Sequence, residues 1–242
     1  MKDYQKQYYD YQTIARGILT KDELEKQHIK ISKWYASRIG KYLPVNLDAR
    51  CLDVPCGYGN FLYYLKSKGY RNILGIDSDV NQIRLNKMLD LSAKIGDAFE
   101  SLANSSEQYH CISSLDFLEH LSKDDALSFL TLCYERLKPD GVLILRTPCA
   151  DGPFGVHDIC NDLTHRWGMT SNLLNAILMM KGFERINILD ERPQPTSFVN
   201  TFRWLIFYPS RVIMSLACVC LGLSPPKIWS RSMIAVAYKP RF

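Results

Sequence analysis

The sequence predicts an α/β fold in which a doubly wound, mostly parallel sheet of seven strands forms a single domain. Short apolar runs alternate along the chain with helical stretches, and a glycine-rich turn follows the first of these runs. Strands that alternate with helices are typical of βαβ units, which build parallel sheets. The 242 residues suit one large domain, so we assign 1–242 to it without an internal boundary.

The expected strands and helices follow each other regularly along most of the chain. Glycines mark several of their ends, as turn-forming and helix-terminating residues do. The strands are expected at 50–55, 72–77, 92–96, 109–115, 141–147, 183–190 and 233–239. The helices between them are expected at 59–68, 79–89, 122–137 and 170–181. The stretch 148–168 is rich in proline and glycine, so we expect a loop there.

The segment 1–45 is predicted to form N-terminal helices that cover the domain as a lid. Tyr4, Tyr8 and Tyr11 recur at helical spacing, a second apolar stripe follows them, and Pro44 ends the pattern. The first residues are polar and carry no apolar signal region, so we expect no secretory leader.

Composition and charge narrow the classes of function. The net charge of +5 arises without a dense block of lysine and arginine, which argues against a nucleic-acid partner. A mildly basic surface is compatible with an acidic substrate or an anionic membrane. The eight cysteines form no Cys-x-x-Cys pair, so no structural zinc site is predicted and a reducing, cytoplasmic location is expected.

Acidic residues stand at the ends of three consecutive expected strands. Asp53 ends the first strand and precedes Gly57 and Gly59, where the backbone can approach a ligand closely. Asp77 ends the second strand, where a carboxylate can accept hydrogen bonds from ribose hydroxyls. Asp97 follows the third strand. Because ligands bind at this edge of open α/β sheets, the sequence predicts a nucleoside-containing ligand there.

The pattern Asp53-x-Pro55-x-Gly57-x-Gly59 resembles the glycine motif of the class I S-adenosylmethionine-dependent methyltransferases. The stretches after the fourth expected strand and before the fifth also match, so the resemblance covers roughly residues 48–148. It implies a Rossmann-like methyltransferase fold with S-adenosylmethionine as the cofactor. It also implies a cofactor-binding half at 46–148 and an acceptor-side half at 149–242.

The resemblance further implies which residues contact the cofactor. The turn from Asp53 to Gly59 would cradle the methionine part of S-adenosylmethionine. Asp77 and Ser78 would contact the ribose, and Asp97 and Ala98 would contact the adenine. Leu115 and Asp116, after the fourth strand, would supply the remaining contacts.

Pro55 departs from the family pattern, in which a glycine stands at that position. Proline fixes φ near −65° and has no backbone N–H to donate. If the position needs positive φ, a proline there would impair cofactor binding. If the position is extended, the proline would only stiffen the turn. We expect the second outcome, because the other parts of the motif are intact.

The acceptor side is expected at the loop after the fifth strand, because binding and catalytic residues commonly lie on such loops. A hydroxyl acceptor must lose its proton, and an imidazole with a pKa near neutral suits that task. We expect His165 to be the general base, oriented by Asp158 or Asp162. His157 and His120 are the alternative bases.

The same loop could supply contacts to a sugar. Asp162, Arg166 and Trp167 are the expected substrate-binding residues, through polar contacts and stacking. A plainer interpretation is a polar loop whose Asp and Thr side chains cap turns. The spacing of the histidines and carboxylates matches no metal motif, so no metal site is predicted.

Two further stretches resemble a subgroup of the family that is found in polysaccharide and lipopolysaccharide (O-antigen) biosynthesis. One runs from Asp162 to Leu174, and the other is Phe202-Arg203-Trp204-Leu205 ahead of an apolar segment. The resemblance implies that the acceptor is a sugar hydroxyl of a bacterial surface glycan or of its precursor.

The apolar segment 198–223 is predicted to be a helical insertion before the last strand. Arg211 and Pro209 interrupt it, so it falls short of the roughly 20 apolar residues of a membrane span. Packing on the domain or on a second copy, as a homodimer, is one interpretation. A peripheral contact with the inner face of a membrane is another, and a true span is the third.

Other functions stay open at this point. A methyltransferase for a quinone-like or other small molecule would present an apolar wall instead of a polar loop. A nucleic-acid methyltransferase lacks its expected motif here, and a nicotinamide-dependent oxidoreductase would need a glycine where Leu62 stands. A non-catalytic partner subunit with the same fold is the last alternative, because of Pro55.

Overall fold

The computed structural model describes residues 7, 8, 11, 20–191 and 198–241. Tyr4 and most of the predicted helix before residue 20 lie outside these residues. Of the predicted N-terminal lid, the structure therefore describes chiefly the helix α1, Lys21–Arg38, and the turn that follows it.

Seven strands form one sheet in the order β3-β2-β1-β4-β5-β7-β6. Strand β7 runs antiparallel to both of its neighbours, and the first five strands are mutually parallel. The strand bounds are β1 Cys51–Asp53, β2 Ile73–Asp77, β3 Ala93–Ile95, β4 Tyr109–Leu115, β5 Leu137–Pro148, β6 Glu184–Asp190 and β7 Ser232–Tyr238. The predicted doubly wound, seven-stranded, mostly parallel sheet is confirmed.

Helices connect the strands and cover both faces of the sheet. After α1 they are α2 Asn60–Ser67, α3 Val80–Met88, α4 Ala98–Ala103, α5 Lys123–Arg136, α6 Gly155–Cys160, α7 Ser171–Met180 and α8 Phe198–Cys220. The first strand lies beside β2 on one side and β4 on the other, so the chain direction across the sheet reverses between β1 and β4. Ligands bind at such a switch point in open α/β sheets.

Polar side chains begin several of these helices where the sequence changes from apolar strand to amphipathic helix. Thr20 and Glu23 form a capping box at α1. Asp97 accepts hydrogen bonds from two backbone N–H groups at the start of α4, and Ser122 caps α5. Caps of this kind satisfy N–H groups that have no partner inside the helix.

Strand β5 shows how the sheet separates two apolar cores. Leu143 and Leu145 pack into the core on one face, and Val142 and Ile144 pack into the core on the other. Side chains alternate along a strand, so a strand buried on both faces reads as a continuous apolar run. The sheet is therefore a rigid central layer, and its polar residues are concentrated at the carboxyl edge.

Two expectations about element bounds are wrong. Strand β5 begins at Leu137 and not at residue 141, because Leu137 already pairs with Tyr109 of β4. The stretch 148–168 is not only a loop, since it contains the six-residue helix α6. That helix lies between Pro153 and the loop that carries His165, and it is too short to show a helical period in the sequence.

Helix α8 stands apart from both cores. It has 23 residues, a mean hydropathy of 1.2 in its most apolar window, and no buried residue. By length and composition alone it could cross a membrane. No α8 residue belongs to either core, although one side of the helix is half-buried, so packing on the domain, contact with a second copy and contact with a membrane all stay predictions.

Candidate functional site

The turn after β1 takes two left-handed backbone conformations that glycine adopts without strain. Gly57 has φ of +50° and Gly59 has φ of +87°. A Cβ at Gly59 would collide with the side chain of Asn86, whereas a Cβ at Gly57 would meet nothing within 4 Å. The backbone at Gly57 therefore borders open space, as a cradle for a ligand requires. Pro55 enters this turn through a cis peptide bond after Val54.

Two side chains hold the glycine turn in place. The N–H of Gly57 donates to Oδ2 of Asp77 at 2.8 Å, and Oδ1 of Asp77 accepts from the N–H of Asp79 at 2.9 Å. The buried amide of Asn86 donates to the carbonyl of Gly57 at 2.7 Å. Burial raises the pKa of the Asp77 carboxyl above its ordinary value. The turn is thus tied to β2 and to α3.

Asp53 lies at the carboxyl end of β1 and is almost completely buried. The hydroxyl of Ser113, on the neighbouring strand β4, donates to its Oδ1 at 2.6 Å. Burial raises the pKa of Asp53 to about 7, and the nearby Asp77 carboxylate acts in the same direction. Predicted cofactor residues from β1 and β2 therefore meet at one edge of the sheet.

The other predicted cofactor residues lie at the ends of β2, β3 and β4. Ser78 is exposed, Ala98 is buried, and Leu115 is half-buried. Asp97 is exposed, and its carboxylate caps α4 through the N–H groups of Phe99 and Glu100. Contact between these residues and a cofactor stays a prediction.

A polar cavity of 310 Å³ opens at the same edge, around the ends of β4 and β5. Most of its lining is charged or hydrogen-bonding. The lining residues are Tyr8, Asp116, Glu119, His120, Arg146, Pro148, Asp158, Asn161, Asp162, His165 and Ser232. Because β4 lies directly beside β1, the cavity is next to the glycine turn in the order of the sheet.

Two imidazoles face each other in this cavity. The rings of His120 and His165 have centroids 4.7 Å apart at an angle of 63°. The Thr164 hydroxyl lies 2.7 Å from Nδ1 of His120 and donates to Asp162 at 2.5 Å. Nδ1 of His165 lies 3.2 Å from the carbonyl of Ile159. Asp162 therefore contacts His120 through Thr164, and its charge also acts on His165.

Glu119 is the most deeply buried carboxyl of the cavity. Its Oε2 accepts a hydrogen bond from the Thr147 hydroxyl at 3.0 Å. Burial, with the Asp116 charge as a smaller cause, raises its pKa to about 8. The pKa of the neighbouring His120 is lowered to about 4, chiefly by burial and then by His165. Glu119, His120 and His165 are close enough together to hold a metal ion.

Arg146 projects from β5 and connects two carboxylates at the edge of the cavity. Its Nε donates to Glu191 at 2.6 Å, and its Nη1 is paired with Asp116. The two negative charges hold the pKa of the Arg146 guanidinium above its ordinary value, although burial acts against them. Asp116, predicted to contact the cofactor, thus lies in the acceptor cavity as the partner of a fixed cation.

Other predicted acceptor residues lie away from the cavity. The His157 side chain is 66% exposed and contacts Asp158 and Arg231. Arg166 is exposed, and its backbone N–H donates to the Glu119 carbonyl. That Trp167 stacks on substrate stays a prediction.

The Trp167 ring packs against the core, and its indole N–H donates to the carbonyl of Leu121 at 3.0 Å. A tryptophan beside charged residues in a loop can serve either the core or a ligand, and the sequence does not distinguish the two.

Sequence reasoning missed Glu119 and Arg146 as cavity residues, and Thr164 as the residue that connects His120 to Asp162. Arg146 did carry a signal, because it is a charged residue near the end of an apolar strand. Glu119 reads as an ordinary polar residue of a turn, and Thr164 as a turn former. Only the fold brings Thr164 to His120, 44 positions earlier in the chain.

Comparisons with known proteins agree with this arrangement. Residues 27–188, more than half of the chain, match the model of a family described as a methyltransferase domain. No curated protein sequence matches the chain significantly.

Solved structures share the fold at low sequence identity. A SAM-dependent methyltransferase from Archaeoglobus fulgidus is 22% identical with a TM-score of 0.66, over 86% of this chain and 94% of that one. An S-adenosylmethionine-dependent methyltransferase from Mesorhizobium loti is 14% identical with a TM-score of 0.57, over 86% and 98%. Phosphoethanolamine N-methyltransferase 2 of Haemonchus contortus, in complex with S-adenosyl-L-methionine, is 14% identical with a TM-score of 0.56, over 93% and 61%.

At these identities the structures establish the fold, and the family match establishes the membership. The predicted fold and the predicted cofactor class, S-adenosylmethionine, are confirmed at that level. The atom that is methylated and the acceptor stay predictions. By its family match and its seven-stranded fold, this chain belongs to the family of methyltransferase domains.

Proposed function

We propose that this protein transfers a methyl group from S-adenosylmethionine to a hydroxyl of a sugar, in a bacterial surface glycan or its precursor. The observation that carries the proposal is the polar cavity with the His120–His165 pair at the carboxyl edge of the sheet. The cavity lies around the ends of β4 and β5, and the cofactor turn follows the adjacent strand β1.

The residues after β1 and β2 fit the cofactor. The open space beside Gly57 accepts a ligand close to the backbone, and Asp77 keeps oxygen lone pairs for ribose hydroxyls after its two hydrogen bonds. S-adenosylmethionine supplies an electrophilic methyl carbon on a sulfonium with a good leaving group. The chain has mainly to orient the acceptor oxygen and to help remove its proton.

The imidazole pair suits that task. Thr164 connects His120 to the Asp162 carboxylate, and the Ile159 carbonyl fixes the ring of His165. With both Nδ1 atoms engaged, the Nε2 atoms carry the lone pairs that can accept from an acceptor hydroxyl. We assign proton removal to this pair, with His165 as the base that the sequence predicts.

The lining of the cavity favours a sugar over a quinone-like acceptor. Carboxylates, a guanidinium, an asparagine and a serine surround the space, and Pro148 is the one aliphatic residue in the described lining. Sugars offer several hydroxyls that such groups can bind, whereas a quinone ring requires an apolar wall. The subgroup resemblance from the sequence supports the same acceptor class.

An acceptor comparison tests the proposal. The purified protein would be incubated with methyl-labelled S-adenosylmethionine and with one of three acceptor sets, namely nucleotide sugars with lipid-linked saccharides, quinols, or primary amines. We expect label in a saccharide fraction, and mass spectrometry should find the new methyl on oxygen. Transfer to quinols or amines alone would reject the sugar assignment.

A further inference from the structure

Three side chains that could share one cation line the acceptor cavity. Glu119, His120 and His165 each bring a potential ligand atom within 4.8 Å of those of the other two. Bonds of about 2.1 Å to imidazole nitrogen and carboxylate oxygen place neighbouring ligand atoms roughly 3–4 Å apart. Small side-chain rotations therefore suffice to bring the three atoms around one ion.

Hydrogen bonds orient both rings as they do in metal-binding histidines, whose second nitrogen is held by another group. The Thr164 hydroxyl uses its proton toward Asp162, so Nδ1 of His120 must donate to Thr164. The carbonyl of Ile159 can only accept, so Nδ1 of His165 donates to it. The lone pair of each ring is therefore on Nε2.

The charge around the cluster favours a cation. Four carboxylates line the cavity, and the two guanidinium groups bound to them are already shared, Arg146 between Asp116 and Glu191 and Arg231 with Asp158. Glu119 is held by Thr147, which leaves its second oxygen as the ligand atom. Imidazole and carboxylate together suit Mn²⁺, Fe²⁺, Co²⁺ or Zn²⁺.

We infer that Glu119, His120 and His165 bind a divalent cation, which the acceptor hydroxyl joins as a further ligand. The inference rests on the proposed function and replaces direct proton removal by His165, because the Nε2 lone pairs of both rings then bind the cation. The cation favours the alkoxide, and the hydroxyl proton passes to solvent. The oxygen then forms the bond to the methyl carbon while the carbon–sulfur bond breaks with its electron pair going to sulfur.

Titration of the metal-free protein with Co²⁺, followed by calorimetry and visible absorption, tests the site. We expect saturable binding of one ion per chain. Glu119→Gln and His165→Ala should each weaken Co²⁺ affinity at least about tenfold. His157→Ala is the matched control, because its ring lies outside the cavity, and it should keep the Co²⁺ affinity of the unaltered protein.

Absence of saturable Co²⁺ binding, or equal affinity in all four proteins, overturns the inference, provided that each variant still binds S-adenosylmethionine and is therefore folded. Removal of metal should stop methyl transfer and leave S-adenosylmethionine binding intact. Full transfer by metal-free protein would refute the cation and leave the proposed function standing. A protein that binds Co²⁺ but methylates no acceptor would instead count against the proposed function.

Helix α8 carries an independent feature, a long apolar face that no described residue buries. Its large apolar side chains recur every three or four residues, and each is more than half exposed. They are Phe198, Phe202, Leu205, Ile206, Val212, Ile213, Leu216 and Val219. At 1.5 Å per residue the helix is about 35 Å long. Its exposed apolar face is therefore much larger than the single apolar side chains that are scattered over ordinary protein surfaces.

The opposite side of α8 carries the two positive charges of the helix among half-buried apolar side chains. By helical spacing Arg203 and Arg211 lie there with Phe207 and Met214, and α8 contains no acidic residue. The segment that follows, 221–231, adds Lys227 and Arg231 and again no acid. A helix with an exposed apolar face, basic residues and no acidic residue suits a segment that lies in the surface of an anionic membrane.

The geometry also points to a lipid surface as the occupant of this face, with α8 parallel to an anionic membrane. Contact between two copies through the apolar faces would bury those side chains and leave the arginines without a counter-charge. A membrane would take up the apolar side chains, and its anionic headgroups would attract the arginines.

Sedimentation with vesicles of phosphatidylcholine alone or mixed with phosphatidylglycerol tests this contact. We expect binding to the mixed vesicles that falls at least about tenfold in Ile206→Asp/Ile213→Asp. Asn200→Gln, on the opposite side of α8, should bind as the unaltered protein does. Failure to bind mixed vesicles, or a stable dimer that the double substitution dissociates, overturns the proposal. Unchanged S-adenosylmethionine binding in each variant would show that the domain is folded.

Discussion

The backbone N–H of Gly57 donates a hydrogen bond of 2.8 Å to the carboxylate of Asp77. This contact joins the glycine turn after β1 to the end of β2, so the two parts of the predicted cofactor site form one unit. Because Asp77 also accepts from the N–H of Asp79, its carboxylate is fixed before any ligand arrives. Such preorganisation lowers the entropic cost of binding.

Replacement of each of the two turn glycines by alanine should have a different effect. Gly57→Ala is expected to cost about 1–2 kcal/mol of folding free energy, from the left-handed backbone alone, and to weaken S-adenosylmethionine binding because the Cβ enters the ligand space. Gly59→Ala must also displace Asn86, so it should unfold at a clearly lower temperature. Thermal unfolding and calorimetry measure both effects. Equal unfolding temperatures for the two variants would contradict the close approach of Asn86 to Gly59.

The buried carboxyl of Asp53 should make stability depend on pH. Its pKa in the folded state is about 7, well above that of an exposed carboxyl, so the folded protein binds more protons than the unfolded chain between these values. Stability from this group therefore falls as pH rises from about 4 to about 7, by at most about 1.4 kcal/mol per pH unit. Asp53→Asn should gain stability relative to the unaltered protein over that range and level off above it. Denaturant unfolding at several pH values measures the difference, and a constant difference would contradict it.

Kinetics of two variants should distinguish between the candidate bases His165 and His157. His165→Ala is expected to reduce kcat about 100-fold or more and to leave the S-adenosylmethionine Kd unchanged. His157→Ala should keep kcat within about twofold, because its exposed ring does not line the cavity. Steady-state kinetics with the identified acceptor give both values. A larger loss of kcat in His157→Ala would instead indicate that His157, outside the cavity, is the base.

Arg146 should matter for stability more than an exposed arginine. Its side chain is 27% exposed and joins Asp116 to the nearly buried Glu191, so Arg146→Met leaves both without their cation. We expect a loss of about 1–3 kcal/mol, less than for a fully buried pair because solvent reaches the site in part. Arg71→Met, which breaks an exposed pair with Asp48, should change the unfolding midpoint little. Equal losses would show that the network does not stabilise the fold.

The sheet and its cofactor edge are predictable because their signals are local. Strand β4 has the predicted bounds 109–115, since an apolar run between turns is visible without the fold. The end of β1, with Asp53 and the two glycines, follows from the same local pattern. The α6 helix is not predictable, because six residues with glycine at the start show no helical period.

The acceptor cavity is harder to predict because its contacts are distant in sequence. Asp162 reads as a partner for His165, three residues away, yet through Thr164 it reaches His120 from the turn after β4. Trp167 resembles a ligand platform in sequence, whereas only the structure shows that one side of its half-buried ring packs against the core. Helix α8 is predictable as an apolar segment, whereas its lack of burial is a property of the fold.

Calorimetric titration of the purified protein with S-adenosylmethionine, with NAD as the control ligand, tests the central claim most directly. We predict micromolar binding of S-adenosylmethionine, no binding of NAD, and loss of S-adenosylmethionine binding in Asp77→Ala. Binding by the unaltered protein would also show that Pro55 is tolerated in the turn. A folded protein that does not bind S-adenosylmethionine, or an Asp77→Ala variant that binds it as well as the unaltered protein, would contradict the assignment of the cofactor site.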